Sequence, residues 1–178
     1  PPSFTPEEFL AIARPLGVER AVLIQMDFYG FDNSFLLDTL QRFLNVFVGV
    51  AQVDERGPDP AGDMLRLKTL GIRGVRIMPT KRGDPNWLDS PGMQAMWQCA
   101  AEDRIAICPL IEADDLPTLA RMCHRFPVTP VVVDHAANIG SDGQFRETDV
   151  TSLCELGRFE NVYVKVSAFY YLGRKLPP

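Results

Sequence analysis

The stretch Val162-Tyr163-Val164-Lys165-Val166-Ser167 alternates apolar and polar residues with the period of two that belongs to a β-strand. Val162, Val164 and Val166 share one face; Tyr163, Lys165 and Ser167 share the other. A second stretch, Gly74-Val75-Arg76-Ile77-Met78, repeats the pattern, with Val75 and Ile77 set against Arg76 and Met78. In a sheet closed into a barrel, alternate residues point to the interior and the others pack under an outer ring of helices. An inward arginine or lysine is hard to explain as packing, so these strands carry a functional signal as well as a structural one.

Working outward, the same strand and helix unit recurs along the chain. Thr5 is placed to cap a first helix, with Pro6 at its first position, Glu8 closing a capping box, Phe4 stapling onto Phe9 and Gly17 ending the segment. Strands are expected at 21–26, 46–53, 74–78, 105–111, 131–135 and 162–167, and helices over 34–44, 61–70, 93–102, 116–124 and 150–156. Strand starts recur roughly every 25 to 31 residues, the spacing of parallel strands joined by helical crossovers. Gly49 and Ala51 suit a crowded interior position in the second strand.

Two α/β architectures accept this order, the (β/α)8 barrel and the open doubly wound sheet. No G-x-G-x-x-G and no Walker A sequence follows the first strand, which removes the usual signature of a nucleotide-binding doubly wound domain. The expected fold is therefore α/β, a (β/α)8 TIM barrel. A whole barrel needs roughly 200 residues or more, so the 178 residues read as one incomplete barrel domain without an internal linker.

Eighteen Lys and Arg against 23 Asp and Glu give a net charge of -5, with no clustered positive charge for nucleic acid or an anionic membrane. A small-molecule partner is expected instead. No apolar run reaches the roughly 18 residues of a membrane span, and no basic-then-apolar segment opens the sequence, so the expected compartment is the cytoplasm. Cys99, Cys108, Cys123 and Cys154 form no C-x-x-C pair and read as free thiols.

His135 ends the run Val131-Val132-Val133-Asp134-His135, at the strand end where barrel active sites gather. Its imidazole can ligate a metal or act as acid or base near neutral pH; the alternative is a histidine that caps the next loop. Asp134 alternates to the other face and reads as structural. The only other histidine, His124, ends a helix, where the dipole favours a cation. Arg76 and Lys165 together suit an anionic substrate or a developing oxyanion, the alternative being an interior ion pair with a carboxylate such as Asp54. Gln25, Asp27, Tyr29, Asn33, Ser167 and Tyr170 follow strands, where substrate-orienting polar groups are expected. Neither G-x-S-x-G nor H-E-x-x-H occurs, and Thr80-Lys81-Arg82-Gly83 is a short basic turn.

The segments 25–33, Gly71-Ile72-Arg73-Gly74-Val75-Arg76, Val131 to His135 and Val162 to Ser167, in this order, resemble the amidohydrolase-2 branch of the amidohydrolase superfamily. That branch includes lactonases acting on pyrone dicarboxylate and aminocarboxymuconate decarboxylases. The resemblance implies an amidohydrolase-type barrel in which His135 is a metal or substrate contact and Arg76 meets a substrate carboxylate. It also implies a divalent metal, zinc first, or none. Two family features are missing: a first strand ending in His-x-His, and a late strand bearing an aspartate in a Gly-Ser-Asp-like setting. Pro109, Leu110 and Ile111 stand where a further histidine often ends a strand. By the resemblance the chain holds strands two to seven, with the absent pieces before Pro1 and after Pro178, and the lack of a third histidine points to the lactonase-like, weakly metal-dependent members.

The expected function is hydrolysis of a small carboxylated cyclic ester or amide, metal-dependent or histidine-assisted, with part of the site outside these residues. Alternatives are a decarboxylase on the same scaffold and a catalytically inert barrel fragment. Two unpaired edge strands invite pairing with another chain, including a second copy in a homo-oligomer.

Overall fold

Thr5 caps α1 (Pro6–Ala13) as its sequence requires: its Oγ1 accepts from the Glu8 amide at 3.2 Å while the Glu8 carboxylate accepts from the Thr5 amide at 2.6 Å. Gly17, at φ 82°, then turns the chain into β1 (Ala21–Ile24). The computed structural model describes residues 4–79, 84–169 and 172. The Thr80 to Gly83 turn and Tyr170 lie outside the described residues. The remaining elements are α2 (Ser34–Arg42), β2 (Phe47–Gln52), α3 (Pro60–Thr69), β3 (Ile72–Ile77), α4 (Pro91–Asp103) and β4 (Ala106–Pro109). They continue through α5 (Leu116–Arg125), β5 (Val131–Val133), α6 (Glu147–Glu155) and β6 (Val162–Val164).

The six strands form one sheet in the order β1-β2-β3-β4-β5-β6, every neighbouring pair parallel. A doubly wound sheet reverses its order at a switch point; this one never does. Successive right-handed crossovers running in one direction place every helix on the same side of the sheet, which is how a (β/α)8 barrel is built. The described residues form a partial barrel of this kind.

The side under the helices holds the core. Val75 and Ile77 of β3, Ile107 of β4 and Val131 and Val133 of β5 meet Met96, Trp97 and Ala100 of α4 and Leu116, Leu119 and Met122 of α5. A second cluster joins Phe47 and Ala51 of β2 and Ile72 of β3 to Leu10 of α1 and Leu36 and Leu40 of α2. Gly49 belongs to this outer side, contrary to the interior position expected for it and Ala51. A Cβ there would stand 2.4 Å from Ile72 Cδ1 and 3.0 Å from Leu40 Cδ1, so Gly49 lets α2 approach the sheet. Strand β2 turns Val50 and Gln52 inward instead. On the inner side the small residue is Gly74, whose added Cβ would come within 3.1 Å of the Ala106 carbonyl oxygen and 3.2 Å of Cys108 Sγ.

Among the described residues the inner side is closed at its middle and open at its margins. Val50, Gln52, Arg76 and Cys108 are buried, while Val22 of β1 is 57% exposed and Tyr163 of β6 is 63% exposed. Val166, expected under a helix, is 74% exposed. Among the described residues, no helix is long and apolar enough to cross a membrane.

Candidate functional site

A cavity of about 570 Å³ opens at the C-terminal ends of the strands. Asp27 lines it after β1, Arg76 from β3, Glu112 beyond β4, His135 and Asn138 beyond β5, and Lys165 just past β6. Residues from five strand ends thus converge although they are spread over nearly 140 positions of chain, about what a barrel mouth brings together.

The centre of the inner face is an ion cluster. Asp134 is fully buried; its Oδ2 accepts from Arg76 Nη2 at 2.8 Å and Nε at 3.1 Å, and its Oδ1 accepts from Lys165 Nζ at 2.7 Å. A third donor of Arg76, Nη1, reaches the Gln25 carbonyl at 3.4 Å. The expectation that Asp134 faces away from Arg76 and Lys165 is overturned. With Val131 and Val133 committed to the helix side, Val132 and Asp134 point inward, and two cations placed in a low-dielectric interior require a carboxylate beside them. The partner of Arg76 is also not Asp54, which pairs with Arg56 at 3.1 Å. One negative charge set against two positive ones leaves the cluster with a net charge of about +1.

His135 reaches the cavity by a different route from the one its strand parity suggests. β5 ends at Val133, and the chain enters a left-handed turn: φ and ψ are 52° and 40° at His135, 50° and 41° at Ala136, and 54° and 35° at Ala137, with φ 52° at Asn138. L-residues resist this conformation by roughly 1–2 kcal/mol each, and none of the four is glycine. Tertiary contacts hold the turn: the Ala136 amide donates to the Lys165 carbonyl at 3.0 Å, and Asn138 Nδ2 donates to Glu112 Oε1 at 3.2 Å. Such strain persists where the surroundings overdetermine it, commonly at functional sites.

The His135 ring is fixed through Nδ1, which is 2.8 Å from Ser167 Oγ. Nε2 remains for chemistry. Burial holds the imidazole below its ordinary titration range, the Lys165 and Arg76 cations push the same way, and Asp134 opposes them. Burial, reinforced by Asp134, pushes the Cys108 thiol up to about 12, so this inner-face sulfur is a protonated wall residue rather than a nucleophile.

The structure brings together His135, Arg76, Lys165, Ser167 and Asp27 of the residues singled out from sequence. The side chains of Gln25 and Asn33 shape the loop after β1 instead. Gln25 Nε2 donates to the Asp32 carbonyl at 2.6 Å, and Asn33 accepts from the Gln52 amide at 3.1 Å while donating to the Gln52 carbonyl at 2.9 Å. Tyr29 turns to a separate apolar cavity with Phe4, Phe9 and Phe35, its ring stacked on Phe35 at 6.2 Å. His124 is exposed in the last turn of α5. Glu112, Asp115 and Asn138 line the cavity without a signal in the sequence reading, as does Gln52, which bonds to Asp27 from outside it. Asp134 carried one usable signal, since two interior cations demand a nearby carboxylate.

Among the described residues, no group of three or more His, Cys, Asp or Glu side chains is arranged to hold a metal ion. A zinc site takes three or four protein ligands. The described residues offer His135 Nε2, while the adjacent Asp134 is already bonded to two cations, an arrangement that does not by itself fit zinc.

A family model described as Amidohydrolase matches residues 1–175. The chain is 27% identical over 168 residues to an L-fucono-1,5-lactonase of Burkholderia ambifaria, covering 94% of this chain and 58% of that protein. It is 25% identical over 167 residues to a 4-sulfomuconolactone hydrolase of Rhizobium radiobacter, covering 94% and 55%. It thus spans little more than half the length of these curated relatives. A probable 2-pyrone-4,6-dicarboxylic acid hydrolase of Acinetobacter baumannii, with citric acid bound, superposes with a TM-score of 0.81 at 21% identity over 95% of this chain and 62% of that one. An amidohydrolase of Burkholderia multivorans with bound zinc superposes with a TM-score of 0.79 at 17% identity over 93% and 59%. These last two establish a shared fold.

Proposed function

The chain belongs to the amidohydrolase family, and from that premise we propose that the intact protein is a lactonase, hydrolysing a small carboxylated cyclic ester at the cavity shared by His135, Arg76 and Lys165. The observation that carries this reading is the setting of His135: a ring held at Nδ1 by Ser167, kept neutral by burial, next to a cluster of net positive charge. Both curated relatives named above are lactone-directed enzymes, which supports the same reaction class. Four free cysteines, three of them buried, support a reducing compartment, the cytoplasm.

In the tautomer whose Nδ1–H donates to Ser167 Oγ, Nε2 keeps its lone pair and takes a proton from water. The water oxygen adds to the ester carbonyl, the ring C–O bond breaks, and the proton passes to the departing alkoxide, giving a hydroxy acid. The excess positive charge of the Arg76, Asp134 and Lys165 cluster holds the substrate carboxylate and steadies the developing oxyanion. Ser167 acts as the partner that orients His135. Zinc, as a Lewis acid, would supply further polarisation of the carbonyl and a more acidic water. His135 would give such an ion one ligand, and the other donors would come from outside the described residues.

Hydrolysis of carboxylated lactones by the intact protein tests this proposal. His135→Ala is expected to lower kcat by about 10²–10⁴-fold, and Arg76→Ala to raise KM for a carboxylated lactone. Ring opening that survives the loss of His135 would remove it from the chemistry. Release of CO₂ without ring opening would replace the hydrolase reading with a decarboxylase.

A further inference from the structure

We infer that Asp27 sets specificity at this cavity: it accepts hydroxyl groups of a lactone bearing a single carboxylate, and it turns away a second carboxylate at that position. The inference rests on the lactonase reading above and narrows its substrate class.

Asp27 opens the short turn Asp27–Tyr29 after β1 and lines the same cavity as His135, Arg76 and Lys165. Gln25, two residues earlier, touches Arg76 through its carbonyl. Yet Asp27 makes no ion pair with that guanidinium, because it is held elsewhere. Its Oδ1 accepts from Gln52 Nε2 at 3.0 Å, and Gln52 is itself buried and immobilised by the reciprocal pair of bonds between its backbone and the Asn33 side chain. Oδ2 of Asp27 has no partner among the described residues.

Glu112 and Asp115 line the cavity beyond β4, so its wall carries carboxylates there as well as Asp27 beyond β1. The Arg76, Asp134 and Lys165 cluster carries one net positive charge. At the β1 side stands a fixed carboxylate that can only accept hydrogen bonds. A substrate hydroxyl donates to it; a substrate carboxylate is repelled by it, and that repulsion is the discriminating element. Asp27 follows β1 and Asp134 and Lys165 follow β5 and β6, while Arg76, in contact with the Gln25 carbonyl, is the member of the cluster on the β1 side, so one ligand can meet Asp27 and the cluster together.

Asp27→Asn in the intact protein tests this, since the amide keeps the size and an oxygen for Gln52 but removes the charge. For a hydroxylated monocarboxylic lactone kcat/KM is expected to fall by about ten- to hundred-fold, while a dicarboxylated lactone lacking hydroxyls gains. A parallel fall for both substrates, or no change in their ratio, would overturn the inference and leave the lactonase reading standing. Calorimetric titration with gluconate and with phthalate reads the same discrimination without turnover. Gluconate is expected to bind the wild type more tightly and phthalate to gain in Asp27→Asn; unchanged affinities for both would overturn the role of Asp27. If neither lactone is hydrolysed by the wild type while the binding preference still switches, the lactonase reading fails and the specificity of Asp27 stands.

Discussion

On the helix side of the sheet Val75, Ile77, Ile107, Val131 and Val133 are each 4% exposed or less, and they meet side chains of the same apolar kind from α4 and α5. One residue along the same strands, on the inner side, stand Arg76, Cys108 and Asp134, joined by Lys165. The outer side is sealed by packing that any well-fitted set of apolar residues provides. The inner side is sealed at its middle by charge pairing, and its margins at Val22 and Tyr163 stay open. The difference separates what makes the fold from what makes the site: apolar contacts on one side tolerate exchange of shape, whereas each charge on the other depends on a named partner.

Removing the common partner should break the comparison most strongly. Asp134→Ala leaves Arg76 buried beside Lys165 with no carboxylate between them, and we expect a loss of roughly 3–5 kcal/mol in denaturant unfolding, together with loss of turnover. On the opposite side, Leu119→Ala opens a void under α5 and should cost about 2–5 kcal/mol, yet the molecules that remain folded should turn over as the wild type does. Equal turnover losses in the two variants would erase the proposed division between the sides.

The pH dependence sharpens the inner side. Burial sets the pKa of His135 in the folded chain below that of the unfolded imidazole, about 6.5. Between that value and the lower folded one, the unfolded chain holds more protons, so this group's contribution is fully present above pH 6.5 and stability falls as the pH drops through the window. Lys165→Met removes a cation that lowers the His135 pKa and strips a partner from Asp134, so the His135 titration should move to higher pH. The sequence has two histidines, which makes an NMR titration simple to assign.

Smaller effects follow at the turn and the margins. Ala137→Gly relieves a left-handed alanine at the cost of a more flexible unfolded chain, and we expect a net stabilisation of roughly 0.5–1 kcal/mol. A loss there would mean that the methyl group packs more strongly than the backbone resists. Val22→Thr, on the open margin, should stay within about 0.5 kcal/mol of the wild type.

Much of the scaffold was legible because its signals are local. The capping box at Thr5 and Glu8, the short apolar runs and the recurrence of strand and helix all depend on residues a few positions apart, and each expected strand has its counterpart in the sheet. The site was legible in part. Arg76 and Lys165 stand out as charges in alternating strands, but Gly49 and Ala51 lie under the helices although small residues suit either side. Gln25 and Asn33 carried the chemistry expected of substrate contacts, yet their side chains bond to loop and strand backbone, which composition cannot distinguish.

By itself the sequence determined the order of elements, their parallel pairing and the strand ends at which charged residues would gather. Only the tertiary structure decided that Asp134 is the counter-charge and how His135 enters the cavity. Three consecutive valines, Val131 to Val133, carry no alternation from which to tell the inward side, and a left-handed run through His135, Ala136, Ala137 and Asn138 opposes the local preference of its two alanines. Contacts from β6 and from Glu112 hold that run in place, and contacts so distant in sequence leave no local pattern to read.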